Sequence, residues 1–321
     1  MARDFQPVSG METPRFAGIA TFMRLPHVKP QEADDVDIGI IGVPWDGGTT
    51  NRPGPRHGPR QIRDMSAMTR HKHHVFRFSP FDTCNVADLG DTPSNPVDVE
   101  DGLGRIETFY KDVVGRGIVP LSAGGDHLVS LPILRAVGEK APVGMIHFDA
   151  HTDLYDGYFD GFKFTHGTPF RRAIEEGVLD PKKTIQIGLR GSAYDFTDRE
   201  YGEKMGVRLM DMEEAAALGP EAVMEQARAL VGDDPIYVSF DIDCIDPAFA
   251  PGTGTPEVGG FTTREAQALL RGLRGLNIVG ADVVEVSPPF DPSGYTALAG
   301  ATMMFEILCV MSEAVARRKA G

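Results

Sequence analysis

Met145-Ile146-His147-Phe148-Asp149-Ala150-His151-Thr152-Asp153 decides how this chain is read. The stretch opens as an apolar run and closes on side chains that ligate metals. Val143 to Phe148 has the character of a strand buried on both faces, as in parallel sheets. Its acidic end would then lie at the carboxyl edge of the sheet, where open α/β folds bind ligands. Asp149, His151 and Asp153 alternate, so an extended backbone would turn all three to one side. A second stretch repeats the design, with Tyr237-Val238-Ser239-Phe240 running into Asp241-Ile242-Asp243. A third, Ile118-Val119-Pro120-Leu121-Ser122, passes through Gly124-Gly125 into Asp126-His127.

Taken singly, these endings have ordinary explanations. An Asp-x-Asp at a strand end is commonly a turn or a helix cap, and a histidine after two glycines is commonly structural. Asp-x-His-x-Asp is harder to dismiss. Three ionisable groups on one face of a buried strand repel and desolvate one another unless a cation sits among them. Together the three stretches point to metal, with His127, Asp149, His151, Asp153, Asp241 and Asp243 as ligands. Six are too many for one tetrahedral zinc and suit two ions that share carboxylates. Four carboxylates and two imidazoles make an oxygen-rich set, which favours two Mn²⁺ per chain. Four carboxylates cancel two dications, so a hydroxide formed between the ions leaves the site negative, and Glu285 adds to that. Such a site suits a cationic electrophile, and a guanidinium fits because its planar fork pairs with a carboxylate.

The chain has 321 residues, 41% of them hydrophobic, enough for a large core. No linker or composition shift divides it, and a single α/β domain over 36–321 is expected behind an N-terminal arm, 1–35. The formal charge of -14 argues against nucleic acid and anionic membranes as partners. Cys84, Cys244 and Cys309 are scattered, which fits a reducing compartment and a cytoplasmic location. No apolar signal core opens the chain and no uninterrupted apolar run reaches membrane-spanning length.

Alternating patterns fill the rest. Strand-like runs are expected at 36–43, 86–89, 118–122, 143–148, 184–189, 207–210, 236–240 and 276–284. Helical patterns are expected at 59–69, 101–114, 128–137, 169–176, 220–230, 263–273 and 297–316. This alternation predicts a parallel sheet with helices on both faces. His71, His73 and His74 have no carboxylate at ligand spacing and are expected in an exposed or interface loop. The aromatic-rich loop from Leu154 to Thr165 is expected to wall a substrate or contact a subunit. Cys244 is expected to be a buried small residue rather than a nucleophile.

The motifs Gly124-Gly-Asp-His127, Asp149-Ala-His-Thr-Asp153, His166-Gly-Thr-Pro-Phe170, the run Ser239 to Glu257, and Glu285-Val-Ser-Pro288 resemble those of the ureohydrolases, the family of arginase, agmatinase and the guanidino-acid hydrolases. The resemblance covers nearly the whole chain. It is nearest the branch of guanidinopropionase and guanidinobutyrase through Pro14 to Pro26 and Ile41 to Arg52. It implies a three-layer αβα sandwich around a parallel sheet of about eight strands, assembled as a homo-oligomer, a trimer or hexamer. It implies that His127, Asp149, Asp153 and Asp241 hold one manganese, and Asp149, His151, Asp241 and Asp243 the other. By the same resemblance His166 shuttles protons and Glu285 grips the guanidinium. Asp153 joins them in the catalytic set, and the nucleophilic hydroxide attacks the guanidinium carbon to release urea and an amine.

The resemblance departs from its pattern at Leu154-Tyr155, where a small polar residue usually follows the last Asp. At the far end of the substrate, Asp156 and Asp160 would suit an ammonium, whereas Tyr155, Tyr158 and Lys163 would suit a carboxylate. The resemblance favours the acids, 3-guanidinopropionate ahead of 4-guanidinobutanoate, with the Tyr158 hydroxyl on the carboxylate. Agmatine or another small guanidine is the alternative substrate. A silent subunit serving a partner chain should have lost ligands, and this chain keeps them all.

Overall fold

The protein was analysed as a computed structural model that describes residues 4–320; the ends of the expected arm and domain, residues 1–3 and 321, lie outside them. Eight strands form the centre: β1 (Ile38–Gly42), β2 (Val86–Asp91), β3 (Val119–Ala123), β4 (Val143–Phe148), β5 (Leu179–Leu189), β6 (Arg208–Asp211), β7 (Ile236–Asp241) and β8 (Ile278–Val284). They lie in the order β2-β1-β3-β8-β7-β4-β5-β6, and every pairing is parallel. Parallel strands need crossovers, and here those are α1 (Gly58–Ser66), α2 (Val99–Gly115), α3 (Ser130–Val137), α4 (Pro169–Glu175), α5 (Thr197–Met205), α6 (Met212–Val231) and α7 (Thr263–Gly272), with α8 (Tyr295–Ala320) following the last strand.

Alternation along the strands creates two cores. Ile146 and Phe148 of β4 face one cluster with residues of α1, α6, α7 and α8, while Val143 and Met145 face the other with residues of α2, α3 and α4. The result is the expected αβα sandwich. From the arm, Phe22, Met23 and Leu25 enter the first cluster, whereas Phe16 and Ile19 stay exposed.

Several local expectations need correction. Polar α5 carries little apolar periodicity and was not expected. α6 begins at Met212, but Gly219 (φ 76°) interrupts it, so the helix expected from Pro220 is present and is preceded by a further helical segment that was not expected. α8 is apolar and long enough to cross a membrane, but most of it is buried in the fold. Glu306 sits in its middle, and His73 is its partner there: His73 Nε2 lies 2.7 Å from Glu306 Oε2, and the ring stacks on Phe76. His73 is therefore a buried strut and not part of an exposed loop, though His74 is exposed.

Candidate active site

The middle of the sheet runs β3-β8-β7-β4, and all four strands end on the same side. His127 follows β3, Glu285 follows β8, Asp241 closes β7 with Asp243 just beyond, and Asp149, His151 and Asp153 follow β4. Sheet order thus gathers residues that are up to 158 positions apart, as in the hydrogen bond from the His127 amide to Glu285 Oε1 (2.9 Å). The strands deliver the groups, but the alternation of an extended chain does not aim them. β4 stops at Phe148, so Asp149 to Asp153 form an irregular loop in which Asp153 is left-handed (φ 53°). Asp243 likewise stands in a 3-10 turn, Ile242–Cys244. Glu285 is left-handed too (φ 62°). Non-glycine residues rarely adopt that conformation, and such residues cluster at functional sites.

Gly125 shows why the chain turns tightly before His127. A Cβ there would lie 1.6 Å from the Trp45 carbonyl oxygen, so only glycine admits that backbone approach. The Asp126 amide then donates to the same carbonyl, and the Glu285 amide donates to Gly125 O.

His127 Nδ1 is buried and meets three carboxylate oxygens: Asp153 Oδ2 at 2.9 Å, Asp149 Oδ2 at 3.1 Å and Asp241 Oδ2 at 3.1 Å. It has no hydrogen-bond partner among the described residues. On its far side, Ser239 Oγ donates to Asp282 Oδ1 (2.7 Å), which leaves it to accept from His127 Nε2 (2.8 Å). Nδ1 therefore offers its lone pair to the point where three carboxylates converge. Burial lowers the basicity of this imidazole, yet the carboxylates outweigh it and push His127 well above its ordinary value. A positive charge belongs at that point, whether proton or metal ion.

The other half of the site is built around Asp149 Oδ1. His151 Nδ1 lies 3.4 Å from it and 3.2 Å from Asp243 Oδ2. Asp149 is thus shared, one oxygen toward each histidine. Burial works against its charge, but His147 and the other two histidines hold its carboxyl well below the usual range. Asp241 shows the reverse: burial, then the charges of Asp243 and Asp149, push it well above. Carboxylates crowded in this way call for a compensating dication. The six predicted ligands converge, and two His/Asp groupings can each hold a metal ion: His127-His147-Asp149 and Asp149-His151-Asp243.

Beside the cluster, Glu285 Oε1 accepts from the His127 amide and meets His166 Nδ1 at 3.0 Å, while its buried Oε2 has no partner among the described residues. Burial lowers the His166 imidazole, but Glu285 outweighs it, and the group is raised to about 9. Its Nε2 accepts from the Thr50 amide (3.3 Å) and faces the Thr50 hydroxyl at 2.8 Å.

These groups open into a cavity of about 840 Å³. Tyr155 and Tyr158 line it, as expected, and Tyr194 joins them with ring centroids 6.4 Å from each. The Tyr158 hydroxyl lies over Gly167, next to His166, since a Cβ on that glycine would be 2.6 Å from it. Leu154 does not reach the cavity. It is fully buried against Gly202 of α5, so of the Leu154-Tyr155 departure Leu154 alters packing and Tyr155 alone bears on the substrate wall. Neither Asp156, Asp160 nor Lys163 lines the cavity; Asp156 is turned away onto Arg172 (2.9 Å). The sequence reading missed His147, Ser239, Asp282, Thr50, Tyr194 and Arg190. His147 precedes Asp149 by two residues and Ser239 precedes Asp241 by two, so the alternation that found the carboxylates could have found them. Arg190 Nη2 donates to the carbonyls of Asp243 (2.6 Å) and Glu257 (2.8 Å), which pins the Asp243 turn.

The sequence and the fold have relatives among known proteins. The chain is 60% identical over 312 residues to guanidinopropionase of Pseudomonas aeruginosa, spanning 97% of this chain and 98% of that protein. It is 49% identical over 314 residues to guanidinobutyrase of the same organism, spanning 97% and 98%. The solved structure of proclavaminate amidino hydrolase from Streptomyces clavuligerus superposes with a TM-score of 0.90 at 40% identity, spanning 94% of this chain and 100% of that one. A family model described as the arginase family matches residues 36–310, a span that holds every strand of the sheet and every acidic and histidine group of the cluster. With sheet, cluster and full-length likeness in agreement, this chain belongs to the arginase family.

Proposed function

We propose that the chain is a dinuclear manganese hydrolase that cleaves a short guanidino acid to urea and an amine, with 3-guanidinopropionate preferred to 4-guanidinobutanoate. The observation that carries this reading is the buried, unpartnered Oε2 of Glu285 at the edge of a cluster of carboxylates and imidazoles. A buried carboxylate oxygen without a donor is costly, and a guanidinium N–H beside it removes the cost. The oxygen-rich donor set supports manganese, and the 60% identity to a guanidinopropionase supports the acid.

His127, Asp149, Asp153 and Asp241 would hold one ion, and Asp149, His151, Asp241 and Asp243 the second. Two divalent cations held by these residues would supply a nucleophilic water at neutral pH. The protein's own groups do the rest. Glu285 orients the guanidinium plane, with its carbon toward the cluster. His166, hydrogen-bonded to Glu285 through Nδ1, is placed to pass a proton to the departing amine nitrogen. Asp153, in its left-handed turn, presents Oδ2 at the boundary between cluster and cavity, and Tyr155 and Tyr158 form the wall beyond it. The Tyr158 hydroxyl is proposed to meet the substrate carboxylate. We further propose a single catalytic domain over 36–321 behind the arm, in a cytoplasmic homo-oligomer.

Urea release from 3-guanidinopropionate, 4-guanidinobutanoate, agmatine, arginine and methylguanidine, measured on manganese-loaded protein with metal content determined in parallel, tests the reading. Specificity constants should rank the acids first, at two Mn²⁺ per chain. A preference for agmatine or methylguanidine, or full activity with one zinc, sinks it.

A further inference from the structure

The inner end of the cavity is anionic, and a guanidino acid must place its own negative charge somewhere further out. Three arginines line the cavity. Arg190 is fully engaged with backbone carbonyls, those of Gly188, Asp243, Cys244 and Glu257. Arg199 is paired with Asp211 at 2.8 Å. Arg52 alone makes no ion pair or side-chain hydrogen bond among the described residues. Its guanidinium instead lies over the ring of Phe290, 3.8 Å from the centroid. Stacking occupies the face of a guanidinium and leaves its N–H edge open, so the planar fork is held ready for a carboxylate.

Its location fits the same task. A Cβ on Gly254 would lie 3.1 Å from the Arg52 carbonyl oxygen and 3.7 Å from Glu285 Oε2, so Arg52 and the guanidinium-binding oxygen border one wall. The segment that begins with Glu285 also supplies the platform, Phe290, five residues on. One short stretch therefore carries both Glu285 and the ring on which Arg52 stacks. Lys163, the cation that sequence alone offered, is exposed and lines no part of the cavity.

We propose that Arg52, stacked on Phe290, is the cationic partner of the substrate carboxylate and sets the preference of this site for short guanidino acids over neutral and cationic guanidines. The proposal rests on the guanidino-acid reading above. It is tested with 3-guanidinopropionate as substrate and N-propylguanidine, which keeps the guanidinium and has a methyl in place of the carboxylate, as competing ligand, on holoenzyme with manganese content measured. The quantity read is the ratio of Ki for N-propylguanidine to KM for the acid. In Arg52→Gln this ratio should fall about 10–100-fold, the range of a charged hydrogen-bonded pair, through a higher KM for the acid. Arg52→Lys should fall between the two, since it keeps the charge and loses the fork. Should Arg52→Gln not fold, Phe290→Leu carries the same test, because it removes the platform, and a ratio that stays at the wild-type value there overturns the assignment. A wild-type ratio near one overturns the guanidino-acid reading and this assignment with it. A high wild-type ratio that survives Arg52→Gln leaves that reading standing and overturns the assignment of Arg52 alone.

Discussion

The chemistry of the site turns on which nitrogen of His127 is free, and that is decided outside the ligand set. Asp282 is buried and accepts from three hydroxyls: Ser130 at 2.6 Å, Tyr237 at 2.7 Å and Ser239 at 2.7 Å. Because Ser239 spends its proton on Asp282, it can only accept from His127 Nε2, and Nδ1 keeps its lone pair for the cluster. Partners that orient a ligating histidine typically contribute 10–100-fold in metal affinity. Ser239→Ala should therefore weaken manganese binding by about that factor, read by calorimetric titration of the metal-free protein. Ser130→Ala is the control, since it also removes a donor from Asp282 but does not touch His127. Equal affinity in wild type and Ser239→Ala would refute the role. At this scale the sequence was informative about charge and silent about orientation. Asp149, His151 and Asp153 announce themselves because buried carboxylates need a reason, whereas a serine in a buried strand is unremarkable until its neighbours are known.

Elements were legible where their apolar pattern is forced by burial on both sides. β4 and β7 are apolar until the residue at which their function begins, and their expected and observed limits differ by one residue at most. α5 was invisible because Thr197 to Met205 is polar around most of its circumference, and only Asp198 and Gly202 are buried. The cap of α8 is another feature that sequence hid. Asp291 Oδ2 accepts from the Thr296 amide (2.7 Å) and the Thr296 hydroxyl (2.7 Å), and that hydroxyl in turn accepts from the Gly252 amide (2.9 Å). Burial opposes its charge, but the bonds from Ser293 and Thr296 outweigh it and hold its carboxyl below the usual range. Asp291→Ala should cost about 0.5–2 kcal/mol, the range for a lost cap, measured as a shift of the urea midpoint. The sign with pH follows from the lowered value. The contribution is present above the unfolded pKa of about 3.9 and is lost as pH falls through the folded one. The difference between wild type and Asp291→Ala should therefore shrink on acidification from pH 6 to pH 3; a constant difference would show that packing against Gly252, not the charge, is what the side chain provides.

For the whole molecule, the consequence of the design is that folding and metal binding are linked. The ligands hang from the ends of β3, β7 and β4, which are separated in sequence by long crossovers and are neighbours only in the folded sheet. In the unfolded chain no site exists, so any ion bound to the native cluster stabilises the fold by mass action, about 2.7 kcal/mol at a hundredfold excess over Kd. Two terms reinforce each other here. The ions add binding energy, and they offset the burial and the neighbouring charges of Asp243 and Asp149 that push Asp241 well above its ordinary value. Loading with Mn²⁺ should accordingly raise the unfolding temperature over the chelator-treated protein by about 5 °C or more. Asp241→Ala should remove most of that rise, because Asp241 is expected to bridge both ions. It should also lessen the cost of the metal-free state, because one crowded carboxylate is gone. The variant is therefore expected to unfold above chelated wild type and below loaded wild type, and to respond little to manganese. A scan with and without chelator on both proteins separates these effects. If manganese leaves the wild-type unfolding temperature where chelation put it, the cluster does not bind the ion in the native state, and neither the dinuclear reading nor the coupling of the strand ends survives.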